Sequence, residues 1–217
     1  PLKRPILLAY LFCRMADTLE DDRNLSKDRK IELLAAFRLV FVERENWRVR
    51  LHEFVDLLPT EWFQSSDCDQ LLTAWPLWPL ELFFDLADKY IHAVSPWVIE
   101  MCDGMIDYSD KRDGQQGWMG LESVEELDDY CYYVAGTVGH MLCDLFFAYS
   151  PLISAPTYRK MKSLAVSFGL GLQVTNIIKD MKEDANRNTC FVPQSLFEKY
   201  GTTPEALIEG RDREEMR

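Results

Sequence analysis

The sequence predicts an all-α helical bundle. Three observations lead there. Apolar residues recur with helical period along nearly every segment, and no segment sustains the alternation of a strand. Prolines and capping residues also fall where helices would start or turn. The 217 residues suffice for one domain with a sizeable core, and the charged and apolar fractions are ordinary for a globular protein. Both ends look cut, since Pro1 is no initiator and the polar stretch from Glu209 to Arg217 closes on no apolar element. The chain therefore reads as one domain, residues 1–217, inside a longer protein.

The elements follow in order. Pro5 suits the first turn of a helix that runs through Asp17, because a first-turn residue has no intrahelical use for its N–H. Ser26 is the N-cap of the next helix, on which Leu34, Phe37 and Phe41 share a face. Pro76 and Pro79 mark a helix-to-helix corner in the Trp-rich stretch. Ser95-Pro96 reads as an N-cap and a first-turn proline, with Val98, Met101, Cys102 and Met105 lining the face that follows. Ser109 to Gly120 is polar and glycine-rich, the pattern of a long surface loop. Ser123 and Glu126 form a capping-box signature for a helix carrying Tyr130 to Gly139. Pro156 opens a long helix through Asp184, and Pro193 and Thr203-Pro204 open two short ones.

Two acidic clusters interrupt this apolar pattern: Asp17-Thr18-Leu19-Glu20-Asp21-Asp22, and the run from Asn176 to Asp184. On a helical wheel, Gln173, Asn176, Asp180 and Asp184 fall within about 80° and span about 16 Å. Such a stripe of amide and carboxylate oxygens suits magnesium, flanked by Lys179 and Lys182 for phosphate oxygens. A solvated face with i,i+4 charge pairs has the same spacing. Against it stand Val174, Ile177, Ile178 and Met181 on the same helix, and Gly169 and Gly171 one turn upstream, which a solvated face does not need. Tyr10, Arg14, Asp17 and Asp21 likewise share a sector of about 60°. Arg14 there is either a structural ion pair or a guanidinium fork for a diphosphate. Carboxylates crowded together repel unless a cation joins them, so both stripes are predicted to face one cavity. Near Tyr130, Tyr132 and Tyr133, the small residues Ala135, Gly136 and Gly139 permit either close helix contact or room for a ligand beside an aromatic wall.

Several functions are excluded. A net charge of −12 without a basic stripe argues against nucleic acid. Six cysteines without a CxxC pair read as reduced thiols, and His52, His92 and His140 lack metal-ligand spacing. No apolar run is long enough for a transmembrane segment, and no signal peptide is visible, so a cytoplasmic location is expected. Gly169-Leu170-Gly171 lacks a third glycine and a preceding strand, so it is no dinucleotide fingerprint, and no serine elbow or P-loop is present.

The run Tyr10-Leu-Phe-Cys-Arg14-Met-Ala-Asp17-Thr-Leu-Glu-Asp21-Asp22 resembles the first aspartate-rich motif of the squalene/phytoene synthase family. Tyr130-Cys-Tyr-Tyr-Val-Ala-Gly-Thr-Val-Gly139 is similar to its central motif. Gln173-Val-Thr-Asn176-Ile-Ile-Lys179-Asp180-Met-Lys-Glu-Asp184, with Phe191-Val-Pro193 downstream, resembles its second aspartate-rich motif. The resemblance covers nearly the whole chain. It implies an isoprenoid-synthase-type bundle around a central cavity, which condenses two prenyl diphosphates head to head through a cyclopropylcarbinyl diphosphate. It implies Mg2+ held by Asp17, Asp21, Asn176, Asp180 and Asp184. Tyr10, Arg14, Gln173, Asn176, Lys179 and Arg187 would contact substrate, and Tyr130 would join the aspartates as a catalytic residue beside the reacting carbons.

The aspartate motifs are nearer squalene synthases, which act on farnesyl diphosphate and need NADPH for the final hydride. The central motif and the region after Asp184 look closer to phytoene-type enzymes, which use geranylgeranyl diphosphate. A non-catalytic relative serving as an assembly or interaction protein is a further alternative, although such relatives tend to lose the aspartates. A terpene cyclase would not carry the Tyr130 motif. The family often has arginine where Lys179 stands, and a second arginine after the position of Arg187, where this chain has Asn188-Thr189. The implied partners are small-molecule prenyl diphosphates and, for release of an apolar product, a peripheral membrane contact; the sequence leaves the oligomeric state open.

Overall fold

The structure is a computed structural model that describes residues 2–111, 119–186 and 189–209. The expected all-α architecture holds. Its elements are α1 (Lys3–Asp21), α2 (Lys27–Val42), α3 (Trp47–Leu57), α4 (Cys68–Ala74), α5 (Leu77–Phe84), α6 (Asp88–Lys111), α7 (Val124–Cys131), α8 (Thr137–Tyr149), α9 (Ala155–Ala185), α10 (Gln194–Tyr200) and α11 (Pro204–Glu209). Short 3-10 turns precede α3 and α4.

Capping chemistry places most starts where the sequence put them. The Ser26 hydroxyl accepts the Arg29 N–H at 3.3 Å, and Ser154 does the same for Thr157 at 3.3 Å, with Pro156 in the first turn of α9. Ser123 accepts the Glu126 N–H at 3.2 Å, while the Glu126 carboxylate reaches back to the Glu122 N–H at 2.7 Å. The main core lies between α1, α2, α3, α5, α6 and α8. α1 buries Leu8, Phe12, Met15, Ala16 and Leu19, and Phe12 sits 5.0 Å from both Phe41 and Phe83 in edge-on contacts. This apolar stripe fixes the rotation of α1, so that Arg14, Asp17 and Asp21 fall on the opposite face.

Three local expectations are corrected. No helix starts at Ser95; α6 begins at Asp88 and runs through Pro96. Ile91, Val94, Val98, Met101, Cys102 and Met105 form one continuous buried stripe, and its packing outweighs the roughly 3 kcal/mol that an interior proline costs. Ser95, with no helix end to cap, leaves its hydroxyl buried without a hydrogen-bond partner. Next, Ser109 to Lys111 are still helical rather than loop, and Met119–Gly120 pairs in parallel with Thr189–Cys190. A two-residue bridge is too short to show strand alternation. Its glycine is required, since a Cβ at Gly120 would lie 2.4 Å from the Cys190 carbonyl oxygen. The rest of the expected loop, residues 112–118, lies outside the described residues. Last, the helix through Tyr130 to Gly139 is not uniform: a π-helical turn, Tyr132–Gly136, separates α7 from α8.

The small residues of that motif make close helix contact. A Cβ on Gly139 would lie 2.5 Å from the Ala165 carbonyl oxygen, and one on Gly169 would lie 2.5 Å from that of Ala135. Gly169 is therefore a packing glycine, not clearance for a ligand, whereas Gly171 has nothing near it. A polar anchor reinforces the contact. Asp144 on α8 accepts from Trp97 of α6 at 2.6 Å, and from Tyr158 and Lys162 of α9 at 2.6 and 2.9 Å. α9 is thereby held against the bundle in one rotational setting. All six cysteines are free thiols, four of them buried, as expected. No helix among the described residues is long and apolar enough to cross a membrane.

Candidate active site

The outward face of α1 carries the first acidic stripe. The Arg14 guanidinium lies 3.4 Å from an Asp17 carboxylate oxygen and donates a short hydrogen bond to Asp69 of α4. Asp67, the N-cap of α4, accepts from the backbone N–H groups of Asp69 and Gln70 at 2.8 and 3.0 Å. The Gln70 side chain donates to Asp22 at 2.7 Å. These groups, with Thr18 and Asp21, line a hollow of about 210 Å³. Asp17 is walled in although 33% of its side-chain surface stays open. Burial, then the neighbouring Asp21, pushes its carboxyl up to about 7, against the pull of Arg14. The hydrogen bond to Asp69 is the main cause holding Arg14 above its ordinary value.

A larger adjoining cavity of about 310 Å³ joins the two stripes. Arg14 and Asp21 come from α1. Gln173, Asn176, Ile177, Asp180, Glu183 and Asp184 come from α9, with Tyr130 at the end of α7 and Phe191 just after the bridge. Arg14 and Asp21 belong to both hollows. The Tyr130 ring stacks on Phe191 at 5.0 Å and meets Tyr108 edge-on at 5.3 Å. Those rings, with Leu121, Cys131 and Ile177, form a second small core beneath the acidic rim. The site is thus a carboxylate rim over an aromatic and apolar floor.

The predicted residues fall as follows. Arg14, Asp21, Tyr130, Gln173, Asn176, Asp180 and Asp184 line one cavity. Asp17 faces the neighbouring hollow and does not line the larger one, so Asp21 is the α1 carboxylate opposite Asp180. Tyr10 is 58% exposed and lines neither hollow. Lys179 is also at the surface, and its ammonium turns back to Asp180 at 3.3 Å and Asn176 at 3.4 Å. Arg187 lies outside the described residues. Sequence reasoning missed Glu183, which sits about 20° from Asn176 on the same wheel and could have been found there. It also missed Asp69, for which no local signal exists.

The oxygen donors fit magnesium by chemistry. Among the described residues no three histidine, cysteine or carboxylate side chains gather closely enough to hold an ion by themselves.

The sequence profile of the squalene/phytoene synthase family matches residues 1–217. This chain belongs to that family. It is 33% identical to the squalene synthase of Schizosaccharomyces pombe over 199 residues, and 34% identical to that of Homo sapiens over 203 residues. Each alignment takes in 92% of this chain but only 40% and 42% of the relatives, so the chain spans about two fifths of their length. Two solved structures of TcSQS with bound ligands superpose with TM-scores of 0.70 and 0.73 at 27% identity. They cover 90% and 97% of this chain and 51% and 57% of those chains. The fold is therefore that of a squalene synthase, an isoprenoid-synthase helical fold.

Proposed function

We propose that the protein containing this chain is a cytoplasmic magnesium-dependent transferase that condenses two molecules of farnesyl diphosphate head to head to squalene. The observation that carries the reading is the larger cavity, where Arg14 and Asp21 of α1 meet Gln173, Asn176, Asp180 and Asp184 of α9 above Tyr130. The names of the similar relatives favour squalene over phytoene.

Asp21, Asp180 and Asp184 would hold magnesium, with the amide oxygens of Gln173 and Asn176 beside them and Asp17 at the adjoining edge. Magnesium when bound would neutralise the leaving diphosphate, so that the allylic carbon–oxygen bond ionises. Arg14 offers donors to the diphosphate from the α1 side, and Lys179 from the α9 side after leaving Asp180. Tyr130 and Phe191 present aromatic surface to the cationic carbons and keep water from them. The second prenyl alkene captures the cation, and proton loss closes a cyclopropylcarbinyl diphosphate. Its own ionisation and rearrangement then await a hydride. In this reading NADPH supplies the hydride. The apolar product leaves through a peripheral contact with membrane.

The test is the product formed by the full-length protein from farnesyl diphosphate and magnesium. Squalene is expected with NADPH, and the cyclopropylcarbinyl diphosphate without it. Phytoene from geranylgeranyl diphosphate, with farnesyl diphosphate untouched, would overturn the substrate assignment. No turnover of either would leave the assembly-protein alternative.

A further inference from the structure

We propose that Tyr108 is a positioning residue for Tyr130: it holds the Tyr130 ring in place at the cavity without lining the cavity itself. The inference rests on the reading that Tyr130 lies beside the reacting carbons.

Tyr130 lines the cavity between α1 and α9, whereas Tyr108, near the end of α6, lines neither hollow. Tyr108 is 2% exposed and meets Tyr130 in two ways. Its ring stands edge-on to the Tyr130 ring at 5.3 Å, with 72° between the planes. Its hydroxyl donates to the Glu126 carbonyl at 3.0 Å. Glu126 stands four residues before Tyr130 on α7, so in helical register the same carbonyl receives the Tyr130 N–H. One side chain of α6 thus holds both the Tyr130 ring and the helical turn that carries it.

Neighbouring rings complete this seat. Phe191 stacks on Tyr130 at 5.0 Å and nearly parallel, so the Tyr130 ring has one neighbour along its face and another set across it. Gly104, one turn before Tyr108 on α6, leaves room for the Tyr133 ring, into which a Cβ there would run. Tyr133 in turn lies 6.3 Å from Tyr108. Only 6% of Tyr130 is exposed, so a small rotation of its ring changes what it presents to the cavity. Removing the Tyr108 ring would leave unfilled space beside Tyr130 and free its ring to turn. A displacement of about 1 Å at a reaction centre can cost about 100-fold in rate.

The experiment is steady-state turnover of farnesyl diphosphate by the full-length protein with magnesium and NADPH. The variants are Tyr108→Leu, Tyr108→Phe, Tyr130→Leu and the Tyr108→Leu/Tyr130→Leu double. Tyr108→Met, whose flexible side chain fills irregular space, replaces Tyr108→Leu if that variant does not fold. Tyr108→Leu is expected to lower kcat about 10- to 100-fold at an unchanged KM, because the groups that meet the diphosphate are untouched. Tyr108→Phe, which keeps the ring, should recover most of that loss. More of the substrate should also end as prenyl alcohol in Tyr108→Leu, as water adds to the allylic carbon that the diphosphate left and then loses a proton. In the Tyr130→Leu background, Tyr108→Leu should cost nothing further, because the effect passes through Tyr130. A parent-like kcat in Tyr108→Leu would overturn the proposal, and so would a loss that persists in full without Tyr130. If the parent protein makes no squalene, or Tyr130→Leu turns over like the parent, the functional reading of Tyr130 falls first and takes this inference with it.

Discussion

Asp17→Asn should stabilise the metal-free protein at neutral to alkaline pH and lose that advantage in acid. The folded protein raises the Asp17 carboxyl from its ordinary 3.8 to about 7, through burial first and the Asp21 charge second. The raised value favours the protonated form, so folding takes up a proton between those two pH values. Stability is therefore lost as pH rises from about 4 through about 7, and is spared below that window. The full displacement sets a ceiling of roughly 4 kcal/mol. Solvent reaches a third of the side chain and Arg14 lies 3.4 Å away, which leaves about 1–2 kcal/mol. For a domain of this size that is about 2–8 °C in Tm. The assay is thermal unfolding of parent and variant in a chelator at pH 8 and at pH 4. The variant is expected to melt higher at pH 8, and the two should converge at pH 4. An equal difference at both pH values would refute the argument, as would a variant that melts lower at pH 8.

Three further outcomes follow from the same geometry. Asp180→Asn should abolish turnover in the full-length protein yet change stability by less than about 0.5 kcal/mol, because Asp180 is 42% exposed and paired with Lys179; a turnover number equal to the parent's would remove Asp180 from the metal set. Lys179→Ala should raise KM for the prenyl diphosphate by roughly 10-fold or more at saturating magnesium, while Lys179→Arg should leave it equal or lower; an unaltered KM in the alanine variant would mean that Lys179 only shields Asp180. Gly169→Ala should destabilise by about 1–3 kcal/mol through its clash with the Ala135 carbonyl, whereas Gly171→Ala should stabilise by up to about 1 kcal/mol; denaturant unfolding reads both, and the opposite order would contradict the α8–α9 packing.

The acidic stripes were legible in the sequence because a carboxylate repeated every four residues on an otherwise apolar helix has a fixed angular position, whatever the tertiary context. Helix starts governed by one capping side chain at Ser26 and Ser123, and by the first-turn Pro156 of α9, were legible for the same local reason. Ser95-Pro96 misled because its local signature is sound, but the buried stripe from Ile91 to Met105 outweighs it, and the extent of that stripe depends on α2 and α8 lying alongside. The wheel gave the face of α1 but could not divide Asp17 from Asp21. That division depends on the start of α4, where Asp67, Asp69 and Gln70, distant in sequence, wall the smaller hollow that Asp17 faces. The π turn at Tyr132–Gly136 likewise carries no periodic signal of its own; it appears where the helix adjusts to bring Ala135 and Gly139 against Gly169 and Ala165.

The central claim is that α1 and α9 together form one metal–diphosphate site. The measurement that tests it most directly is a crystal structure of the full-length protein grown with inorganic diphosphate and manganese, with the ions located by their anomalous scattering. The account predicts ions on both sides of a single diphosphate, contacting Asp21 on α1 and Asp180 or Asp184 on α9, with the Arg14 guanidinium on a phosphate oxygen. Ions and diphosphate confined to one helix, leaving the other stripe in solvent, would contradict it.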